Sequence, residues 1–139
     1  MTEASAEDDP ASFMRKARRA CTSARLLLEA DDADGACNRA YYAMFDAARA
    51  SIMMVEGSDG GDDVRTHRGV LRRFAERLVL PGRVPRDVGR SLRRAETLRS
   101  IADYRGARVE IADASRAVAS AEAFLAEIER LASRSAEDE

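Results

Sequence analysis

Apolar residues recur at alternating spacings of three and four near the carboxyl end of the chain. They are Ile111, Ala114, Val118, Ala121, Leu125, Ile128 and Ala132. This periodicity is typical of a long amphipathic helix that packs in a bundle or coiled coil. We therefore predict a helix from about Ile111 to Ala132, followed by a frayed tail at residues 133–139.

Shorter apolar stripes indicate four earlier helices. They cover about Pro10–Ala30, Asp32–Val55, Thr66–Leu80, and Pro85 to between Asp103 and Gly106. Short connections between helices that each have one apolar face favour an antiparallel arrangement. The predicted fold is therefore all-α, an antiparallel bundle of four to five helices at residues 10–132. The acidic residues 1–9 are expected to be disordered.

The second predicted helix has two contrasting faces. At 100° per residue, Asn38, Tyr42, Phe45 and Arg49 fall within one arc, and the opposite arc is alanine-rich. The alanines are Ala36, Ala40, Ala43, Ala47 and Ala50. The alanine face can approach a neighbouring helix closely, so recognition or chemistry is expected on the other face. Of Tyr41 and Tyr42, one is expected to be buried with its hydroxyl bonded and the other to face a groove.

Composition agrees with one helical domain and excludes several classes of protein. The chain has 139 residues, of which 45% are hydrophobic and many are alanine, the best helix former. Cys21 and Cys37 lack the neighbours that a zinc site needs, so no metal is expected. The amino end is acidic without an apolar run, and no segment has the length of a membrane span. These features predict a cytoplasmic protein.

The net charge of −2 hides a basic middle of the chain. Eleven arginines lie between Arg65 and Arg99, against only Glu76, Asp87 and Glu96. Such a segment suits an anionic partner such as RNA, a nucleotide or an acidic protein. The alternative is that these arginines are merely solvated, because arginine is the usual cation of this chain.

Arg99 is unusual because it falls within the apolar arc of the fourth predicted helix. Asp103, four residues later, lies on nearly the same side, so the pattern predicts either an Arg99–Asp103 contact or a phosphate bound by Arg99. His67, the only histidine, stands at the start of the third helix. A lone histidine there is typical of a cap or surface residue, and a catalytic base is the alternative.

Residues Ala36 to Phe45 resemble the central helix of HEPN-domain proteins (higher eukaryotes and prokaryotes nucleotide-binding). Three further segments fit the same family in the same order. They are Thr66–Val70, Arg99–Tyr104 and Ala121–Phe124. The resemblance covers roughly Phe13 to Leu131, almost the whole chain.

The resemblance implies a helical bundle that forms a homodimer and is often encoded beside a minimal nucleotidyltransferase. Such pairs act as toxin–antitoxin or two-component nucleotidyltransferase systems. Active HEPN toxins are metal-independent ribonucleases whose signature is an arginine, a polar residue, a short spacer and a histidine. Arg99 and Ser100 match this signature, but Tyr104 stands at the position expected for the histidine.

Two functional hypotheses follow. In the first, a groove around Arg99 binds RNA, a nucleotide or the nucleotidyltransferase partner, without a cofactor. Its binding residues would be Asn38, Arg39, Tyr41, Tyr42 and His67. In the alternative, the protein is a ribonuclease: Arg99 contacts the phosphate, Asp103 orients Arg99, and Tyr104 donates a hydrogen bond to a phosphate oxygen. Tyr104 is also a candidate acceptor of nucleotidyl groups from the partner. A third hypothesis is that the protein is only a helical scaffold.

Overall fold

The computed structural model describes residues 9–57, 65–104 and 108–137. These residues form five helices and no strand, which confirms the all-α prediction. The helices are α1 (Pro10–Glu29), α2 (Ala33–Glu56), α3 (His67–Phe74, continued by a π-helical segment at Ala75–Val79), α4 (Arg86–Asp103) and α5 (Ile111–Glu137).

Three of these helices have a polar N-cap residue. Asp9 accepts a hydrogen bond from the backbone N–H of Ser12, and Asp32 accepts one from that of Gly35. Thr66 caps α3 in the same way through the N–H of Gly69. Each cap satisfies a backbone donor that has no partner within its own helix, so these residues set where the helices start.

Helix α2 is the centre of the bundle and contacts all four other helices. Its five alanines on the predicted packing face are fully buried, as the sequence pattern predicted. The most extensive contact in the bundle is between α1 and α2. Small residues on α2 meet Ala17, Ala20 and Ala24, the buried alanines of α1, in the same core. Without large side chains between them, the two helices can lie close together.

Helices α1 and α5 run antiparallel. Arg18 pairs with Glu129 at 3.0 Å, and Arg25 pairs with Glu122 at 2.7 Å. The later residue of α1 thus pairs with the earlier residue of α5, as antiparallel helices require. These pairs are exposed and add little stability, so buried apolar side chains of α5 such as Val118 and Ile128 hold the helix in place.

The structure departs from the sequence pattern at three helix boundaries. The third helix changes at Ala75 into a π-helical turn, in which the N–H of Leu80 donates to the carbonyl of Ala75 at 2.8 Å. The last helix continues to Glu137, beyond the predicted end at Ala132. Ile111 was predicted to belong to the apolar stripe of that helix, and this is wrong because its side chain is exposed. Ile111 is the first residue of α5, where no neighbouring helix covers it.

Most of the acidic amino-terminal segment that was predicted to be disordered, residues 1–8, lies outside the described residues.

Candidate functional site

His67 joins the aromatic side chains of α2. As the first residue of α3, it is placed by the Thr66 cap, and its Nδ1 lies 3.1 Å from the hydroxyl of Tyr41. Its ring centroid is 4.7 Å from that of Phe45 and 5.8 Å from that of Tyr42. The imidazole is therefore held by one polar contact and by ring contacts with Tyr41, Tyr42 and Phe45, rather than standing free at the surface as a lone histidine commonly does.

Arg99 approaches the same tyrosine from α4. Its guanidinium carbon lies 5.0 Å from the centroid of the Tyr41 ring, within cation–π range. Nη2 donates to Glu96 at 3.1 Å and Nη1 donates to Asp103 at 2.9 Å. The side chain is only 16% exposed. The structure thus contains the predicted Arg99–Asp103 contact and adds a second carboxylate.

We call this group of side chains the Arg99 cluster. Its members are Tyr41, Tyr42, Phe45, His67, Glu96, Arg99 and Asp103. Two tyrosines and a phenylalanine from α2, one histidine from α3, and an arginine with two carboxylates from α4 make up the set. Residues more than 50 positions apart along the chain thereby meet at one place.

Burial and charge favour the neutral form of both groups that share the hydrogen bond. Burial and the positive charge of Arg99 lower the pKa of His67, while the carboxylate of Glu96 opposes this shift. Burial, assisted by the charge of Glu96 and opposed by Arg99, raises the pKa of Tyr41 above its ordinary value. At neutral pH an uncharged imidazole therefore contacts an uncharged phenol.

The two tautomers of His67 give the cluster different chemistry. If the Tyr41 hydroxyl donates to Nδ1, the imidazole proton is on Nε2, which can donate to a phosphate oxygen. If Nδ1–H donates to the Tyr41 oxygen, Nε2 has a lone pair and can accept a proton. One arrangement suits anion binding, and the other suits general base catalysis.

Arg99 keeps its charge in this setting. Burial alone would lower the pKa of Arg99, but the hydrogen bond to Glu96 and nearby negative charge raise it overall. The Nε of Arg99 is buried and makes no hydrogen bond within the described residues. The same holds for Oδ1 of Asn38, about one turn before Tyr41 on α2. Such groups are costly to bury, so both atoms are candidates for contact with a ligand or a partner chain.

Three of the predicted site residues are not members of the Arg99 cluster in this chain: Asn38, Arg39 and Tyr104. Tyr104 follows the last residue of α4 and is 74% exposed. Arg39 is also exposed. Burial raises the pKa of Asp46, and the positive charges of Lys16, Arg49 and Arg39 oppose this rise without cancelling it. Arg39 therefore lies on the side of α2 that carries Asp46.

Sequence reasoning did not single out Glu96 as a partner of Arg99. The spacing of three residues on a helix contained the signal, because residues at i and i+3 are neighbours on the helix surface. No comparable signal was available for the contact of His67 with Tyr41, since these residues come from different helices and the connection between them contains Gly57 and the residues up to Thr66.

Other kinds of site are not found in the described ranges. Those residues contain no group of three or more histidine, cysteine or carboxylate side chains that could hold a metal ion. Among the same residues, none of the helices combines the length and hydrophobicity that a membrane crossing requires.

An arginine, a histidine and tyrosines thus meet at the junction of three helices of the bundle, an arrangement that can bind an anion. The HEPN domain family matches residues 11–131 of the chain. A UPF0332 protein of Gloeobacter violaceus is 36% identical over 95 residues, which are 68% of this chain and 71% of the relative. A UPF0332 protein of Thermotoga maritima is 33% identical over 121 residues, 86% and 87% of the two chains. The chain belongs to the HEPN family.

We predict that His67 makes stability depend on pH. Its pKa is lowered from 6.5 on folding, so the unfolded chain binds the proton more readily. The contribution of the neutral imidazole is fully present above pH 6.5 and is lost as pH falls through the lower pKa of the folded protein.

Urea denaturation at several pH values, for the wild type and His67→Asn, measures this contribution. The stability advantage of the wild type over the variant should decrease on acidification below about pH 6.5, the ordinary histidine pKa. An advantage that stays constant with pH would show that His67 does not titrate differently in the folded protein.

Proposed function

We propose that this protein is a HEPN subunit that binds RNA or a nucleotide through phosphate contacts at the Arg99 cluster. The observation that supports this proposal most directly is the largely buried Arg99 guanidinium over the Tyr41 ring, next to the imidazole of His67. A guanidinium whose orientation is already fixed loses little freedom when it binds a phosphate oxygen.

The ion pairs of Arg99 determine how an anion can bind. Two carboxylates already contact the guanidinium, so an incoming phosphate must replace one of them. Asp103 is the group to be replaced, because its side chain is 57% exposed whereas that of Glu96 is 31% exposed. Glu96 then continues to orient Arg99. The exposed Arg65 and Arg68, which flank His67 in sequence, add positive charge for a longer anionic chain such as RNA.

Replacing Arg99 by methionine should weaken binding of a fluorescently labelled single-stranded RNA by at least about tenfold, since hydrogen bonds to charged groups are worth roughly 1.5–3 kcal/mol. Fluorescence anisotropy at two salt concentrations, with unlabelled ATP as competitor, measures the change. The matched control is Arg130→Met, because Arg130 is likewise a helical arginine paired to a carboxylate three residues away, but it lies exposed on α5 outside the Arg99 cluster. Equal affinity of wild type and Arg99→Met would contradict the proposal.

A metal-independent ribonuclease is the second candidate function, and the position of His67 supports it. Cleavage without a metal needs a group that accepts the 2′-hydroxyl proton and a cation near the phosphate. Arg99 can supply the cation, and the lone pair of His67 Nε2 can accept the proton. In the form suggested by the family signature, Tyr104 instead donates a hydrogen bond to the phosphate, with Asp103 orienting Arg99.

RNA degradation by the purified protein in excess chelator tests this candidate and distinguishes the two residues. We expect Arg99→Met and His67→Asn to lower the rate by at least about a hundredfold, the low end of general acid–base contributions. Tyr104→Phe should keep its cleavage activity if His67 is the base. If only Tyr104→Phe loses the activity, the hydrogen bond from Tyr104 to the phosphate is the contribution that cleavage needs. If the wild type does not cleave RNA at high concentration, only the binding function remains.

We further propose that the protein acts in the cytoplasm as a homodimer with a minimal nucleotidyltransferase, in a toxin–antitoxin or two-component nucleotidyltransferase system. Membership of the HEPN family supports this proposal. The exposure of Tyr104 suits an acceptor for nucleotidyl transfer, in which the phenol oxygen attacks the α-phosphate of ATP and pyrophosphate leaves.

Intact-mass measurement after incubation with such a nucleotidyltransferase and ATP tests the transfer. The wild type should gain the mass of one or more AMP groups, and Tyr104→Phe should gain none. Tyr42→Phe is the matched control, because Tyr42 is a partly buried phenol within the Arg99 cluster. Unchanged mass of the wild type would exclude this reaction with the partner used.

A further inference from the structure

An apolar groove lies beside the amino-terminal half of α4, away from the Arg99 cluster at the other end of that helix. Its volume is about 340 Å³, within the range of pockets that hold ligands. Leu71 and Phe74 of α3, Val79 of the π-helical segment and Leu92 of α4 line it. The groove thus lies where α3 and its π-helical extension pass α4.

The π-helical segment shapes this groove. Its wide turn places Val79 on the groove wall and leaves Leu80, which also lines the groove, 82% exposed. On the opposite side, a Cβ atom on Gly89 would lie only 2.9 Å from a methyl group of Val79. The absence of a side chain at Gly89 therefore allows α4 to approach the π-helical segment closely, and Leu80 remains at the margin in water. π-helical turns of this kind are frequent at functional sites.

Three arginines form one edge of the groove. Arg86, Arg90 and Arg93 are spaced four and three residues apart, so they share one face of α4. All three are exposed, and none forms an ion pair with another residue in the described part of the chain. Among the described residues, no carboxylate lines the groove. An apolar floor therefore borders a row of arginines that form no ion pair within the described part of the chain.

We propose that this groove binds an amphipathic helix of a partner protein, with large apolar residues on one face and a row of acidic residues beside them. The apolar side chains would cover Leu80 and contact Val79 and Leu92. The acidic row would pair with the three arginines, for which carboxylates are well matched in geometry. The phosphate backbone of RNA would meet the arginines but would gain nothing from the apolar floor, so a protein helix is the better fit.

A synthetic, fluorescently labelled helical peptide tests the proposal. The peptide has leucines at positions i, i+3, i+4 and i+7 and glutamates along one flank of that face. Two matched peptides replace the glutamates by glutamine or the leucines by serine. Anisotropy titration with the full chain should show binding of the first peptide and at least about tenfold weaker binding of both others, since each change removes one of the two contributions.

Variants of the protein locate the site. Leu80→Ser and Arg90→Glu should each lower the affinity for the acidic peptide by about tenfold or more, which corresponds to roughly 1.4 kcal/mol. The matched controls are Leu26→Ser and Arg130→Glu, because Leu26 is an exposed leucine on α1 and Arg130 an exposed arginine on α5. Both controls should bind as the wild type does. Circular dichroism confirms that each variant is folded.

Three results would overturn the proposal. The first is equal binding of the acidic and glutamine peptides, and the second is equal affinity of Leu80→Ser and the wild type. The third is a dimer, seen in sedimentation, that Leu80→Ser converts to a monomer, because a second copy of the chain would then occupy the groove. RNA binding at the Arg99 cluster is measured separately, so its failure and a failure here are independent.

Discussion

The close packing around α2 is the constraint on which the rest of the structure depends. This helix is buried by four neighbours, and its alanine side accepts another helix at short distance. Because the backbone of α2 is held by these neighbours, its side chains outside the alanine face also have fixed positions. Tyr41, fully buried on α2, is the fixed point against which α3 places His67 and α4 places Arg99. A shift of α2 would change both contacts at once.

The Arg99 cluster illustrates how a bundle can keep a charge partly away from water. A buried guanidinium is costly unless it is paired, and here Glu96 and Asp103 supply the pairing while the Tyr41 ring supplies a polarisable surface. The more exposed of the two carboxylates can be exchanged for another anion. Burial, assisted by the charge of the same arginine, lowers the pKa of His67 and keeps the imidazole in the neutral form that can take part in proton transfer.

Helix α4 presents two different surfaces along its length. Its carboxyl end carries Arg99, which is paired with two carboxylates, whereas its amino-terminal half carries Arg86, Arg90 and Arg93, which form no ion pair with the residues that the structure describes. The basic middle of the sequence is therefore divided between a cluster that orients one cation and a groove edge that leaves three cations available. A net charge close to zero conceals both, because the compensating carboxylates lie elsewhere in the chain.

The amino-acid sequence by itself determined the helices, the alanine face of α2 and the contact of Arg99 with Asp103, since each depends on the period of 3.6 residues within one helix. It equally contained the spacing between Glu96 and Arg99. Only the tertiary structure decided that His67 meets Tyr41, that Tyr104 lies outside this cluster and that a π-helical turn opens the groove near Leu80. These features depend on how helices pack against one another. The local pattern of apolar and polar residues does not show which residues of different helices come into contact.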